Sequence, residues 1–236
     1  MRKILFLIKG FLQKLNFLYL KVYILKGFSY EKKIDYQKRF VDFKIKPDDK
    51  ILDIGSGGEP FPYATHLADK YPQETQHRWN ELETHGRQFV QADIEKLPFR
   101  DKEFDFVYCA HVLEHVGDAA QACDEIMRVG KRGYLETPTR MSDIMFNFVG
   151  KKDFHKWYVS QLGNTLIFHE YPDTEHRDTG SDDFYHFAHA KYPNGIRKMY
   201  RQNKDLFSNM FLWEGGFNYY VFDKQGDLIK SFVFRK

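Results

Sequence analysis

Two segments constrain this chain more tightly than its composition does: ILDIGSGG at 51–58 and DKEFDFVYCAHVLEHV at 101–116. Ile51-Leu52-Asp53-Ile54 is an apolar run with one acid, short enough for a strand buried on both faces of a parallel sheet. The glycines behind it let backbone approach a ligand closely, so Gly55-Ser56-Gly57-Gly58 reads as a binding loop. Such a loop alone is often only a tight turn, and the weight comes from the downstream pattern. Apolar runs recur at 64–68, 88–92, 104–110 and 133–136, with apolar residues at helical spacing over 118–129. Short buried strands alternating with helices predict an α/β fold with a mostly parallel sheet. Ligands of such sheets bind beyond the carboxyl ends of the strands, near the reversal of strand order. The predicted strands end at Asp53 and the glycine loop, at Asp69, at Asp93 and at 109–111, which puts all of these positions on one rim.

With QADIEKLPF at 91–99, the pattern over 50–138 resembles the class I S-adenosylmethionine-dependent methyltransferases, in the methyltransferase type 11-like subgroup. The shared motifs are a DxGxG loop, D-x-E-x-LPF, FD-x-V and a LEHV segment. The resemblance implies a Rossmann-like sheet, mostly parallel with a C-terminal antiparallel hairpin, and S-adenosylmethionine as cofactor. It implies that Asp53, Gly55, Ser56 and Gly57 form the loop against the methionine part, and that Asp69 holds the ribose hydroxyls. Asp93 and Ile94 would meet the adenine amine and ring, while Ala110 and His111 would line the methionine pocket. The ribose assignment also has a chemical basis, because two neighbouring hydroxyl donors suit one carboxylate.

Two departures from that pattern stand out. Glu59 replaces the usual third glycine and is followed by Pro60-Phe61-Pro62, so the helix that normally follows the loop cannot form in the ordinary way. Between Asp53 and Asp69 there is room for roughly one turn plus a strand. This shortened GEPFP loop is similar to that of methyltransferases associated with surface polysaccharide and glycolipid assembly. The similarity implies O-methylation of a sugar or other small polar acceptor in envelope glycan biosynthesis.

Hydroxyl acceptors are poor nucleophiles until deprotonated, and histidine is matched to take a proton near neutral pH. His111, Glu114 and His115 follow the fourth predicted strand at helical spacings that share one side of a turn, and His155 comes later in DFHKWY. His111, His115 and His155 are therefore the candidates for base or substrate orientation. H-x-x-E-H with a later histidine also resembles the metal site of the small-RNA 2′-O-methyltransferases, except that His111 stands in place of a glutamate. By ligand type such a set suits Mn, Fe or Zn. The competing reading makes Glu114 a cap or ion-pair partner and His115 an internal hydrogen-bonder, which leaves the metal unknown.

Residues 1–45 read as an N-terminal amphipathic helical extension and 46–236 as the methyltransferase domain, with 171–208 a lid or substrate insertion. Within 1–26 short apolar runs alternate with lysines, and none nears the roughly 20 apolar residues that span a bilayer. The stretch fits a helix lying on an anionic membrane surface or one packing on its own sheet or a dimer partner. It has no continuous apolar core before a small-residue cleavage site, and two cysteines, Cys109 and Cys123, are not spaced as a metal pair. A cytoplasmic, reducing setting is expected, with peripheral contact to the inner membrane face where that helix lies on the membrane instead of packing on protein. With 36 basic against 33 acidic side chains, nothing in the net charge favours nucleic acid over a small-molecule or glycan substrate. Residues 141–151 are predicted helical, and 164–170, 211–222 and 229–234 as strands, with a turn at 224–227 closing a final hairpin onto the main sheet. Two readings compete with glycan methylation: methylation of a lipid-linked or quinone-like acceptor at the membrane surface, and a noncatalytic cofactor-fold binding module.

Overall fold

The computed structural model describes residues 32–73, 81–146, 155–172 and 195–235. The predicted helix over 1–26 and most of the predicted lid lie outside them. Helix α1 (Lys33–Phe40) is followed by β1 (Ile51–Ile54), β2 (His66–Asp69), β3 (Gln88–Gln91) and β4 (Phe106–Ala110). Next come α2 (Ala119–Val129), β5 (Arg132–Pro138), α3 (Arg140–Phe146), β6 (Trp157–Leu162) and β7 (Thr165–Glu170). Helices α4 (Gly195–Gln202) and α5 (Lys204–Phe207) lead to β8 (Ser208–Glu214), β9 (Asn218–Phe222) and β10 (Leu228–Phe232). The main sheet runs β3-β2-β1-β4-β5-β8, with β8 antiparallel to β5 and every other pairing parallel. The order reverses between β1 and β4, so the glycine loop and His111 flank the switch point. Among the described residues no helix is long and apolar enough to cross a membrane.

Period-two alternation decides what each face of this sheet holds. Leu52, Ile54, Val107, Cys109 and Leu135 point into the larger core with α2, whose start is capped by the Asp118 carboxylate accepting from Gln121 N at 2.9 Å. Ile51, Phe106, Tyr108, Ala110 and Tyr134 point to the other face. No helix joins β1 to β2, as the Glu59-Pro60 sequence predicts. Phe61 turns inward instead, 1% exposed and stacked on Tyr108 with centroids 4.2 Å apart, and α1 lays Ile34, Tyr36 and Gln37 over the same face. Glu59 lies near the start of that helix, its Oε1 accepting from Lys33 N at 3.4 Å. An acid there also suits the helix dipole.

A second, four-stranded sheet has the order β10-β9-β7-β6. Its inner face contributes Trp157, Val159, Leu166, Phe168, Tyr219 and Val221 to the α2-side core. The region predicted as one strand over 211–222 is two, because Gly215 turns at φ +76° and the Phe234 ring packs so close to Gly216 that a Cβ there would lie 2.5 Å from it. That break sends β8 to the main sheet and β9 to the second. The final hairpin therefore forms, with Asp223 Oδ1 accepting from Gln225 N and Asp227 N at 2.9 Å, but it extends the second sheet. β8 alone closes the first. Strand β6 was not anticipated, and the predicted helix over 141–151 is described only as Arg140–Phe146.

Replacing Phe61 by Ala is expected to cost about 3–5 kcal/mol of unfolding free energy, because the cavity would open between α1, Tyr108 and Phe43. Urea unfolding measures it. A loss below about 1 kcal/mol would mean that this face relaxes and is not filled by Phe61.

Candidate functional site

At the carboxyl rim a cleft of about 200 Å³ opens between the glycine loop, the ends of β2 and β3, and the turn after β4. Gly55 at φ +69° donates its N–H to Ala68 O at 2.7 Å, and a Cβ there would lie 2.3 Å from a Val112 methyl. The loop and the β4 turn thus touch through the missing side chain. Gly57, also left-handed at φ +56°, donates to Asp69 Oδ2 at 3.1 Å, while Asp69 Oδ1 accepts from Tyr71 N at 2.8 Å. Each Asp69 oxygen keeps acceptor capacity beyond its one backbone bond. Asp93 pairs with Lys70 Nζ at 2.7 Å; burial pushes its carboxyl up, but the Lys70 bond and the Glu95 N–H outweigh this and hold it below the usual value. Glu95 Oε1 accepts from Gly117 N and Asp118 N at 2.6 and 3.1 Å, tying the two lips together. Ile54, Ala92, Ile94, Val112 and Val116 make the remainder apolar. Carboxylates around an apolar slot suit a ligand with a flat ring, a diol and positive charge. A larger hollow of about 900 Å³, lined by residues 38–47, Ile51, Tyr63 and Thr65, lies at the amino ends of the strands, away from this rim.

Beside the cleft sits a cluster of buried acids with His155 buried and His111 and His115 half-buried. His111 takes φ +60° and its Nε2 lies 3.0 Å from Glu136 Oε1, with Nδ1 3.5 Å from Glu114 Oε1. Burial alone lowers the imidazole pKa, but the two carboxylates more than reverse this and raise it to about 9. The β6 segment docks on the following turn through backbone: Glu114 O accepts from Lys156 N and Trp157 N at 2.8 and 3.1 Å, and Val116 O accepts from the Trp157 indole at 2.8 Å. That docking brings His155 to His115, with ring centroids 4.8 Å apart. His155 Nδ1 is 3.0 Å from Asp143 Oδ1, and Tyr171 OH donates to Asp143 Oδ2 at 2.6 Å.

Residues 52–135 match the family described as a methyltransferase domain. Over this stretch the chain is similar to methyltransferase domains. A 123-residue stretch is 29% identical to a cycloartenol-C-24-methyltransferase of Arabidopsis thaliana, covering 46% of this chain and 36% of that protein. The chain thus spans about a third of the length of that curated relative. Among solved structures, a methyltransferase of Thermotoga maritima aligns at 18% identity and TM-score 0.41, over 52% of this chain and 59% of its own. The protein in complex with the Trm112 methyltransferase activator of Haloferax volcanii aligns at 12% identity and TM-score 0.45, over 77% and 87%.

Gly55, Gly57, Asp69, Asp93, Ile94, His111 and His115 line one cleft. Asp53, Ser56, Ala110 and His155 do not. Asp53 is 1% exposed beneath the loop and its Oδ2 accepts from Phe61 N at 2.7 Å, which makes it a brace for the GEPFP turn. Ser56 is buried, its Oγ without a hydrogen-bond partner among the described residues. Ala110 packs in the α1-side core, and His155 lies behind His115. His111, held charged by two carboxylates, is a poor proton acceptor at neutral pH, so the base expectation narrows to His115 and His155. Sequence reading missed Lys70 and Tyr71, whose signal was their place directly after the rim acid. It also missed Glu136, Asp143 and Tyr171, which only the fold brings in.

Burial raises the Asp53 carboxyl to about 6, against the lowering influence of Lys33, the Phe61 N–H and Arg87. Its contribution to stability is therefore present at low pH and is lost as pH rises through about 6. Asn at this position keeps an oxygen for Phe61 N and removes the charge. Relative to wild type, Asp53→Asn should gain about 1 kcal/mol between about pH 5 and about pH 7.5, measured by urea unfolding at both. A difference that does not change with pH would show that Asp53 does not titrate there.

Proposed function

We propose that the chain is an S-adenosylmethionine-dependent methyltransferase that methylates an oxygen of a sugar or other small polar acceptor in envelope glycan biosynthesis. The observation that carries the transfer is the meeting of Gly55, Gly57, Asp69, Asp93 and Ile94 on one cleft at the switch point. S-adenosylmethionine, when bound, supplies the methyl group. Asp69 accepts from the ribose hydroxyls, and the Asp93 carboxylate accepts from the adenine amine beside Ile94. The close approach of Gly55 to Val112 leaves the loop backbone at the cleft wall. At the other end His115, which lines the cleft, acts on the acceptor hydroxyl, orienting it and easing loss of its proton, and His155, packed against it and fixed by Asp143 and Tyr171, supports that role. The polar acceptor is supported by that buried, hydrogen-bonded surround and by the GEPFP resemblance. The setting proposed is cytoplasmic.

A second reading, methylation of a lipid-linked or quinone-like acceptor at a membrane surface, draws on the relative named for cycloartenol and on the lysine-punctuated apolar stretch at 1–26. Activity that needs detergent or liposomes would favour it.

Calorimetry with S-adenosylmethionine and S-adenosylhomocysteine tests the cofactor half. Micromolar binding is expected, and Asp69→Asn should weaken it at least about tenfold, or about 1.4 kcal/mol, while circular dichroism stays unchanged. Unchanged affinity would remove the ribose assignment. No binding to the folded wild type would leave a noncatalytic module.

A second prediction concerns the acceptor half. His155→Ala is expected to lower kcat by about 100-fold or more with cofactor affinity within about twofold of wild type, as for a group acting in the transition state. Equal loss of both would mark His155 as structural.

A further inference from the structure

We infer that Glu114, His115 and His155 form a binding site for a divalent transition-metal ion, placed where the cofactor cleft meets the start of β6. One ligand atom from each of these residues can be chosen such that all lie within 4.8 Å of one another, close enough for a single ion to draw them together. Three features of the cluster point to a ligand. The Glu114 side chain is 1% exposed and its Oε2 is buried without a hydrogen-bond partner among the described residues, a costly state for a carboxylate that a cation would relieve. His155 is 8% exposed and its Nδ1 is engaged by Asp143, so coordination would run through Nε2. Asp143 is itself wholly buried and receives Tyr171 OH on its other oxygen. A carboxylate that fixes the ring orientation of a histidine while the far nitrogen binds metal is the recurring outer-sphere arrangement of metal sites.

The donor set limits the ion. Two imidazoles and one carboxylate suit Zn²⁺, Fe²⁺ or Mn²⁺, whereas Mg²⁺ and Ca²⁺ favour all-oxygen shells. His111 is not counted among the ligands, because its Nε2 is taken by Glu136 at 3.0 Å. Three protein ligands leave coordination positions open, and His115 lines the cofactor cleft, so an acceptor oxygen on the ion would sit beside that cleft. This role for the ion rests on the transfer reading; the binding site itself does not. With the ion bound, the two histidines hold metal, and the acceptor is oriented through it.

The test uses the full chain stripped with a chelator and dialysed, then titrated separately with Zn²⁺, Mn²⁺ and Co²⁺ by calorimetry, with visible absorption for Co²⁺. One equivalent should bind at micromolar or tighter affinity, with d–d bands for Co²⁺ that differ from those of the aqueous ion. Glu114→Gln and His155→Ala should each abolish that equivalent, and His115→Gln, at a half-buried position less liable to disturb folding, should weaken it at least about tenfold. Asp143→Asn should weaken it by about 10–100-fold. Asp69→Asn should leave it unchanged. Absence of binding to the folded wild type, or binding indifferent to the ligand variants, overturns the site. S-adenosylhomocysteine binding to the stripped protein is measured in parallel: its loss with metal binding intact would sink the transfer reading alone, and the converse would sink the metal site alone.

Discussion

One buried carboxylate, Glu136 at the carboxyl end of β5, connects the parts of this molecule that matter for its site. Oε1 accepts from Tyr36 OH at 2.5 Å and lies 3.0 Å from His111 Nε2; Oε2 accepts from Gln37 Nε2 at 2.7 Å and Tyr134 OH at 2.5 Å. An isolated carboxylate in such a place would cost several kcal/mol and would take up a proton instead. Burial does push this one up, but His111 and the tyrosine hydroxyls outweigh burial and hold it at about 2. The charge therefore persists and fixes its donors. Through Tyr36 and Gln37 it sets the position of α1, and through His111 it holds a rim side chain whose φ of +60° is unfavourable for a residue with a Cβ. The His111 backbone N–H bonds Glu136 O at 2.8 Å, so the same residue secures both ends of the histidine.

The position of α1 matters because the loop after β1 has no helix of its own. A helix there would cover the sheet face and aim its N-terminal amides at the ligand. Here the two tasks are divided. Phe61 and α1 cover the face, and the loop amides are braced from below by carboxylates: Asp53 takes Phe61 N and Asp69 takes Gly57 N. The acid proposed to hold the ribose thus also supports the glycine loop. On the proposed reading, loss of its charge would be felt at both ends of the ligand.

The strand–loop–strand order was legible because buried parallel strands leave uninterrupted apolar runs, and each run ends at the rim where ligands bind. Asp69, Asp93, Ile94 and the two positive-φ glycines were readable for that reason. Asp53 reads from the motif as a loop residue against the cofactor, but alternation on β1 turns it, with Ile51, to the α1 face, where it accepts from Phe61 N. Strand β6 escaped because Ser160-Gln161 interrupts its apolar pattern while Trp157 and Val159 are buried. The single strand read over 211–222 ran through Gly215-Gly216, where close contact with Phe234, from the far end of the hairpin, breaks it. No local pattern marks Asp143 or Glu136. Each matters through partners far along the chain, as Tyr36 lies 100 positions from Glu136 and Tyr171 lies 28 from Asp143.

That difference in range separates the two halves of the site. The rim cleft is assembled from turns within the family-matched stretch, so its lining follows from short motifs. The proposed acceptor cluster borrows only Glu114 and His115 from that stretch; Asp143 comes from α3, His155 from the lead into β6 and Tyr171 from just beyond β7. Those later elements are held to the domain by the Glu114 and Val116 carbonyls, which take backbone and indole donors at the start of β6. Changes beyond this attachment alter what stands opposite His115 without disturbing Asp69 or the glycine loop. A fold hosts chemistry through its site, so the proposed acceptor follows from the cluster itself and not from the shared motifs.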